Sequence, residues 1–180
     1  MRSEPVVFLP LSQGKVAVID FADFELVRGF KYYAYTPGRI TYAARGKASP
    51  VKAVRHTTVS LHRDILGLKT GDPRQVDHKD HNGCNNTRSN LRLCSNRENS
   101  RHRRSRLGST SKYLGVSLPT NRFKWRAVAR WPGDPALGDG NKAYLGNFDS
   151  EVDAALAYDV FAREHYGEFA NCNFPPPELP

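Results

Sequence analysis

Short runs of alternating apolar and polar residues, broken by glycine, proline and small polar residues, dominate the first sixty positions. Val6–Leu11 and Lys15–Asp20 flank Ser12-Gln13-Gly14, a pattern that predicts two strands joined by a turn. Phe30–Tyr35 and Arg39–Arg45 form a second such pair around Pro37-Gly38. Val59-Ser60-Leu61 predicts a further strand, running into a short helix at about His62–Leu68 that stops at Gly67 or Gly71. From Gln75 the pattern changes. A short apolar lead ends in Asp77-His78, a polar loop follows (His81-Asn82-Gly83-Cys84-Asn85-Asn86), and a helix closes the segment near Arg106. Ser95-Asn96-Arg97-Glu98 reads as a capping box, in which the Ser95 hydroxyl accepts from the Glu98 amide and Glu98 reaches back. That places Asn99 in about the first turn. Leu107–Ser111 is small and polar, as junctions between domains tend to be. Beyond it, Tyr113–Leu118, Trp125–Trp131 and Lys142–Phe148 alternate as three strands, with a glycine- and proline-bearing loop at Pro132–Asn141. Ser150 and Asp153 cap a helix reaching about His165, with Gly167 as its stop. Its Ala154, Ala155, Ala157 and Ala162 let it lie close on a sheet.

Charge sharpens this picture. The formal net charge is +9. Between Ser95 and Arg130 ten basic residues stand against Glu98 alone, which equals the whole excess, while Leu145–Pro180 carries seven acidic residues and one basic, a net −6. The basic block is interleaved with Tyr113, Phe123, Trp125 and Trp131, which suits a polyanion because each phosphate contact releases condensed counterions. No apolar run approaches the length of a membrane span, and the N-terminus lacks a signal peptide's apolar stretch. Cys84, Cys94 and Cys172 form no C-x-x-C pair and read as reduced thiols in an intracellular protein, so the expected location is the cytoplasm.

The stretch VDHKDHNGCNNTRSNLRLCSNRENSRH, Val76 to His102, resembles the HNH nuclease motif in the variety found in phage and intron-encoded homing endonucleases. The order Asp77-His78, Asn90 within N-L-R, and Asn99 carries the resemblance. It implies a ββα-metal fold in which a hairpin and a helix grip one divalent cation. By that resemblance Asp77 ends the first strand and gives the metal a carboxylate oxygen, and Asn99 gives an amide oxygen. His78 is the general base toward the attacking water, and Asn90 holds the loop and hairpin in shape and orients His78. The residue types suit the chemistry independently. Phosphodiester cleavage needs a base titrating near neutral pH and a cation to offset charge developing on phosphorus. Oxygen ligands with open positions fit Mg²⁺ or Mn²⁺. Where some HNH enzymes place a second helical ligand this chain has Arg103, which holds phosphate but not metal. His102 is a minor ligand candidate, His81 and Asp80 read as loop polar groups, Asp20 and Asp23 as turn residues, and His62-Arg63 as a brace to the site, with phosphate contact the alternative. Arg101, Arg103 and Arg104 are the expected phosphate contacts of this segment.

The last third is similar to the DNA-binding domain of plant ethylene-response transcription factors, a domain also found fused to phage HNH nucleases. The matching pieces are KYLGV at 112–116, KWRA at 124–127, YLGNFD at 144–149, AALAYD at 154–159 and GEFANCNFP at 167–175. The resemblance implies a three-stranded sheet lying in the major groove with the helix behind it. Trp125, Arg126, Arg130, Lys142 and Tyr144 are the expected contacts, with Arg122 and Lys124 reaching from the hairpin loop. Leu114, Ser117 and Pro119 depart from the plant pattern, so the plant target sequence does not carry over.

Together these give an α+β chain. A β-rich N-terminal region leads into a ββα-metal nuclease module over residues 1–106, followed by a linker at 107–111. A three-stranded antiparallel sheet packed on one helix then fills 112–175, and the tail is 176–180. The expected activity is metal-dependent hydrolysis of double-stranded DNA by a monomer with one active site, leaving 5′-phosphate and 3′-hydroxyl ends. A DNA-binding regulator with an inactive nuclease module is the alternative, and an RNA-binding protein a weaker one.

Overall fold

The structure, a computed structural model, describes residues 4–48, 56–102, 108–120, 123–130 and 142–176. Arg103, Arg104 and Arg122, Trp131, the loop Pro132–Asn141 and the last four residues of the tail lie outside the described residues. The chain divides into two compact units, Met1–Asn96 and Arg97–Pro180.

In the first unit, β1 (Val6–Pro10) and β2 (Val16–Asp20) pair antiparallel across a 3-10 turn at Ser12–Gly14. A short helix α1 (Phe24–Val27) leads to β3 (Tyr33–Tyr35), β4 (Tyr42–Ala48) and β5 (His56–Ser60), an antiparallel sheet in the order β3-β4-β5. The strands sit later than the alternation predicts: β3 starts at Tyr33 rather than Phe30, and β4 runs through Lys47 to Ala48. Pairing with β5, not burial, carries that polar end of β4, with Lys47 opposite Thr57. Helix α2 (Leu61–Ile65) follows without a break, and then β6 (Gln75–His78) and β7 (Leu91–Cys94) form an antiparallel hairpin. The core gathers Ala17, Ile19, Val27, Tyr32, Ala43, Leu61, Ile65 and Leu91 from most of these elements. Asp20 and Asp23, expected as turn residues, are both buried. Asp20 accepts the Arg88 amide at 2.7 Å, and Asp23 pairs with the Arg88 guanidinium at 2.7 Å. Arg63 ties the loop after α2, donating to the carbonyls of Lys69, Asp72 and Arg74.

In the second unit, α3 (Asn96–Arg101) begins directly after Ser95. Strands β8 (Val116–Ser117), β9 (Trp125–Arg130) and β10 (Lys142–Phe148) form an antiparallel sheet with β9 central. Helix α4 (Glu151–Tyr166) is capped by Ser150, whose side chain accepts from the Val152 and Asp153 amides. Alternation on β9 turns Ala127 and Ala129 inward, where Ala154, Ala155, Tyr158, Phe161 and Ala162 of α4 complete two core clusters. Gly115, at φ +77, lies so close to Tyr158 that a Cβ there would meet its ring at 2.0 Å. Asp159 is fully buried, and its carboxylate takes the amides of Asn173 (2.7 Å) and Phe174 (2.8 Å), fastening the segment after α4.

Among the described residues no helix is long and apolar enough to cross a membrane.

Candidate active site and nucleic-acid face

The β6–β7 register sets Asp77 opposite Arg92 and His78 opposite Leu91. Asp77 is buried, and its Oδ2 accepts Arg92 Nε at 2.8 Å and pairs with the second guanidinium nitrogen at 2.6 Å. Both contacts fall on one oxygen, so the carboxylate is oriented with Oδ1 outside that pairing. Among the described residues no three histidine, cysteine, aspartate or glutamate side chains gather closely enough to hold a metal ion. A cation at Asp77 would find a carboxylate oxygen there, a donor of the hard kind that Mg²⁺ accepts.

His78 is also buried, and its Nε2 lies 3.3 Å from Oδ1 of Asn86. The Asn86 amide nitrogen donates to the Gly83 carbonyl at 3.4 Å, which fixes the side chain's orientation. An amide oxygen can only accept, so His78 carries its proton on Nε2 and offers Nδ1 as a lone pair. Burial pushes the His78 pKa down, partly offset by the Asn86 hydrogen bond and by the charges of Asp80 and Asp77. The net effect favours the neutral imidazole over the charged one.

Asn90 does not reach His78 through any hydrogen bond of its own. Its Oδ1 accepts the Asp80 amide at 3.1 Å, and its Nδ2 donates to Asp80 Oδ1 (2.9 Å) and the Asn85 carbonyl (2.7 Å). It ties the loop, and Asn86 is the residue that meets the His78 ring. Asp80 is the loop's internal hub. Burial would raise its pKa, but hydrogen bonds from Asn82, Asn85 and Asn90 hold it below the ordinary carboxylate range. His81 adopts a left-handed φ of 60 within the same turn.

The loop is also gripped from outside. The Val18 amide donates to the Cys84 carbonyl at 2.8 Å and the Val18 carbonyl accepts the Asn86 amide at 2.7 Å, so β2 extends its edge onto the loop. Gly83 packs where a Cβ would meet the Thr41 carbonyl at 2.5 Å and the Tyr42 ring at 2.6 Å. Glycine alone permits that approach. The Tyr42 ring in turn lies 5.8 Å from His78 and 6.0 Å from His62. Sequence reading missed Asn86, Arg92, Tyr42 and Val18. Replacing Asn86 by alanine is expected to slow catalysis about tenfold to a hundredfold, because the base loses the group that sets its tautomer. Unchanged turnover in Asn86→Ala would remove that role.

His62 stands beside this cluster, its ring 5.1 Å from that of His78 and edge-on to it. Burial, then the charge of His78 and of Arg63, push its pKa down to about 3. The unfolded chain accepts a proton near the ordinary 6.5 and the folded one resists it, so acid favours unfolding. This penalty is absent above that pH and grows toward pH 3 by at most about 1.4 kcal/mol per pH unit. Denaturant titrations from pH 7 to 4 should show a steeper loss of stability for the native protein than for His62→Gln. Equal slopes would mean His62 titrates normally.

The second unit is described by itself. Asn99 and Arg101 stand on α3, with the Arg101 guanidinium 5.2 Å from the centre of the Tyr166 ring, and His102 is buried just after it. On the sheet, register sets Lys142 opposite Arg130, Tyr144 opposite Val128 and Asn147 opposite Arg126. Arg126, Arg130, Lys142 and Tyr144 therefore share the face turned away from α4, where Tyr144 is 60% exposed. Trp125 does not join them. It keeps the parity of Ala127 and packs against Val116, Ala127, Ala154 and Ala155 on the helix side, away from the residues expected beside it as contacts. Lys124 is paired with Asp149 at 3.2 Å.

The HNH endonuclease family model matches residues 59–101. A protein of Acanthamoeba polyphaga mimivirus, described as an uncharacterized HNH endonuclease, is 30% identical over 175 residues, spanning 93% of this chain and 81% of its own length. The chain belongs to the HNH endonuclease family. It is thus a nuclease, from a family that uses a divalent metal ion. The endonuclease is also 44% identical over 63 residues to an Arabidopsis thaliana protein named for binding a dehydration-responsive element, a match covering 35% of this chain and 36% of the plant protein.

Proposed function

We propose that this endonuclease hydrolyses phosphodiester bonds of double-stranded DNA with Mg²⁺ or Mn²⁺, leaving 5′-phosphate and 3′-hydroxyl ends. The observation that carries the reading is the neutral His78, its Nε2 proton committed to Asn86 and its Nδ1 lone pair left to act, directly after the oriented carboxylate of Asp77. His78 takes the proton of the attacking water. Asp77 is the protein's carboxylate ligand for the metal, and Asn99 the second oxygen ligand by resemblance to the family. When bound, the metal supplies charge stabilisation at the phosphate and the leaving oxygen. Asn90 and Asp80 keep the loop rigid, so that base and carboxylate hold their spacing.

The open face of the second sheet, with Arg126, Arg130, Lys142 and Tyr144, is the proposed major-groove reader, and Arg101 a phosphate contact. Basic side chains on an exposed strand face suit both base edges and phosphates. The likeness to the plant protein supports this part more weakly than the family supports the nuclease. Such a reader raises the local concentration of the nuclease at its target without touching the chemistry. The phage and homing character of the motif fits a mobile DNA-cutting enzyme.

The test is cleavage of supercoiled and long linear DNA in Mg²⁺, Mn²⁺ and EDTA. Nicks that require a metal and vanish in Asp77→Asn establish the reading. Duplex binding with no cleavage in either metal overturns the assignment of substrate and cofactor.

A further inference from the structure

Beside the base stands a second imidazole that the reaction as described does not use. His62 is the second residue of α2, and its ring meets His78 edge-on at 5.1 Å while the Tyr42 ring lies 6.0 Å from His62 and 5.8 Å from His78. The side chain makes no hydrogen bond among the described residues. Its Nδ1 is sealed from solvent without a partner, whereas Nε2 is not sealed. Were the position only a wall behind the base, a leucine or phenylalanine would fill it without stranding a polar nitrogen. A stranded lone pair costs less than a stranded N–H, so the sealed Nδ1 leaves the ring's single proton on Nε2, the nitrogen open to a partner from outside.

We propose that His62 is a further catalytic residue, donating an N–H hydrogen bond from Nε2 to a non-bridging oxygen of the phosphate attacked by the water that His78 activates. The inference rests on the nuclease reading above. Three features specify the donor. Its neutrality, enforced by burial and the neighbouring His78 and Arg63, leaves a single N–H and no competing charge. A phosphate oxygen can only accept, which matches that N–H. Placement next to the base sets the donor near the phosphorus rather than along the DNA backbone. No bond is made or broken at His62: the hydrogen bond strengthens as charge builds on the phosphate oxygen and relaxes when the 3′-oxygen leaves.

The experiment compares His62→Leu, which removes the donor, with His62→Gln, which keeps an N–H at about the same reach. Single-turnover cleavage with saturating duplex and Mg²⁺ is expected to fall about a hundredfold in His62→Leu. The glutamine variant should recover most of that loss. Mn²⁺ affinity measured by electron paramagnetic resonance should stay at the native level in both, while duplex affinity in EDTA falls by about twofold to tenfold in His62→Leu, the worth of one hydrogen bond. Native cleavage by His62→Leu overturns the proposal, as does equal loss in the two variants with intact folding. A drop in Mn²⁺ affinity overturns it in favour of a metal ligand. A third measurement needs no variant to fold: in EDTA, binding of duplex should move the ring N–H resonance of His62 in the native protein. An unmoved resonance on saturation overturns the phosphate contact. That last readout is independent of cleavage, so a failure of the nuclease reading shows up separately, as absent cleavage by the native enzyme.

Discussion

Replacing His78 by alanine is expected to slow DNA cleavage by about a thousandfold while duplex binding in EDTA stays at the native level. The size follows from the role. A positioned general base contributes roughly two to four orders of magnitude, and His78 is arranged for that task by three separate features. Its strand pairing with Leu91 fixes the backbone, Asn86 fixes the proton on Nε2, and burial keeps the ring neutral. Specificity of the effect follows from the surroundings. Asp77 is oriented by Arg92, and the loop is tied through Asn90 and Asp80, so truncation leaves both intact. The basic sheet face belongs to the other compact unit. Gel-shift titration alongside a nicking assay separates the outcomes. Loss of binding together with cleavage would assign His78 a structural role, and unimpaired cleavage would move the base elsewhere.

A second large effect is expected on stability. Gly115→Ala should destabilise the second unit by about 3 kcal/mol or more, from overpacking together with a left-handed φ that alanine adopts poorly. The added Cβ would sit 2.0 Å from Cδ2 and 2.5 Å from Cε2 of Tyr158, a ring held within the core of α4 and the sheet. Neither side yields easily. The Gly115 carbonyl accepts the Val128 amide at 2.8 Å, and Leu114 is tied at both backbone groups to the Asn173 side chain. Gly108 provides the control, since it has the same φ of +77 with nothing within 4 Å of its Cβ position. Gly108→Ala should cost only the conformational part, about 1 kcal/mol. Thermal melts of the two variants isolate the clash with Tyr158. Equal shifts would mean the ring moves aside freely.

The sequence-level reading succeeded where local chemistry decides the outcome. Strand β10 occupies Lys142–Phe148 as its alternation predicts, and α4 starts at its serine cap and ends at the glycine. The motif segment gave both the β6 strand end at Asp77-His78 and the helix after Ser95. Other features depend on contacts between distant segments. Asn82, Asn85, Asn86 and Asn90 are equivalent as residue types, and only the folded loop shows that Asn86 meets the imidazole. Asp20 and Asp23 look like turn residues until Arg88 arrives from more than sixty positions away. The parity of Trp125 follows from Ala127 and Ala129 facing α4, which aromatic character alone does not reveal.

The grip of Val18 on Cys84 and Asn86 bears on how far this nuclease can be cut down or transplanted. The recognisable motif begins well after β2, yet the loop that orients the base borrows its hydrogen bonds from an edge of β2. A graft limited to the motif would carry the reactive side chains without the scaffold that aligns them. The smallest portable nuclease therefore includes the N-terminal hairpin, and sequence drift at its exposed positions is tolerated so long as the backbone at Val18 keeps its place.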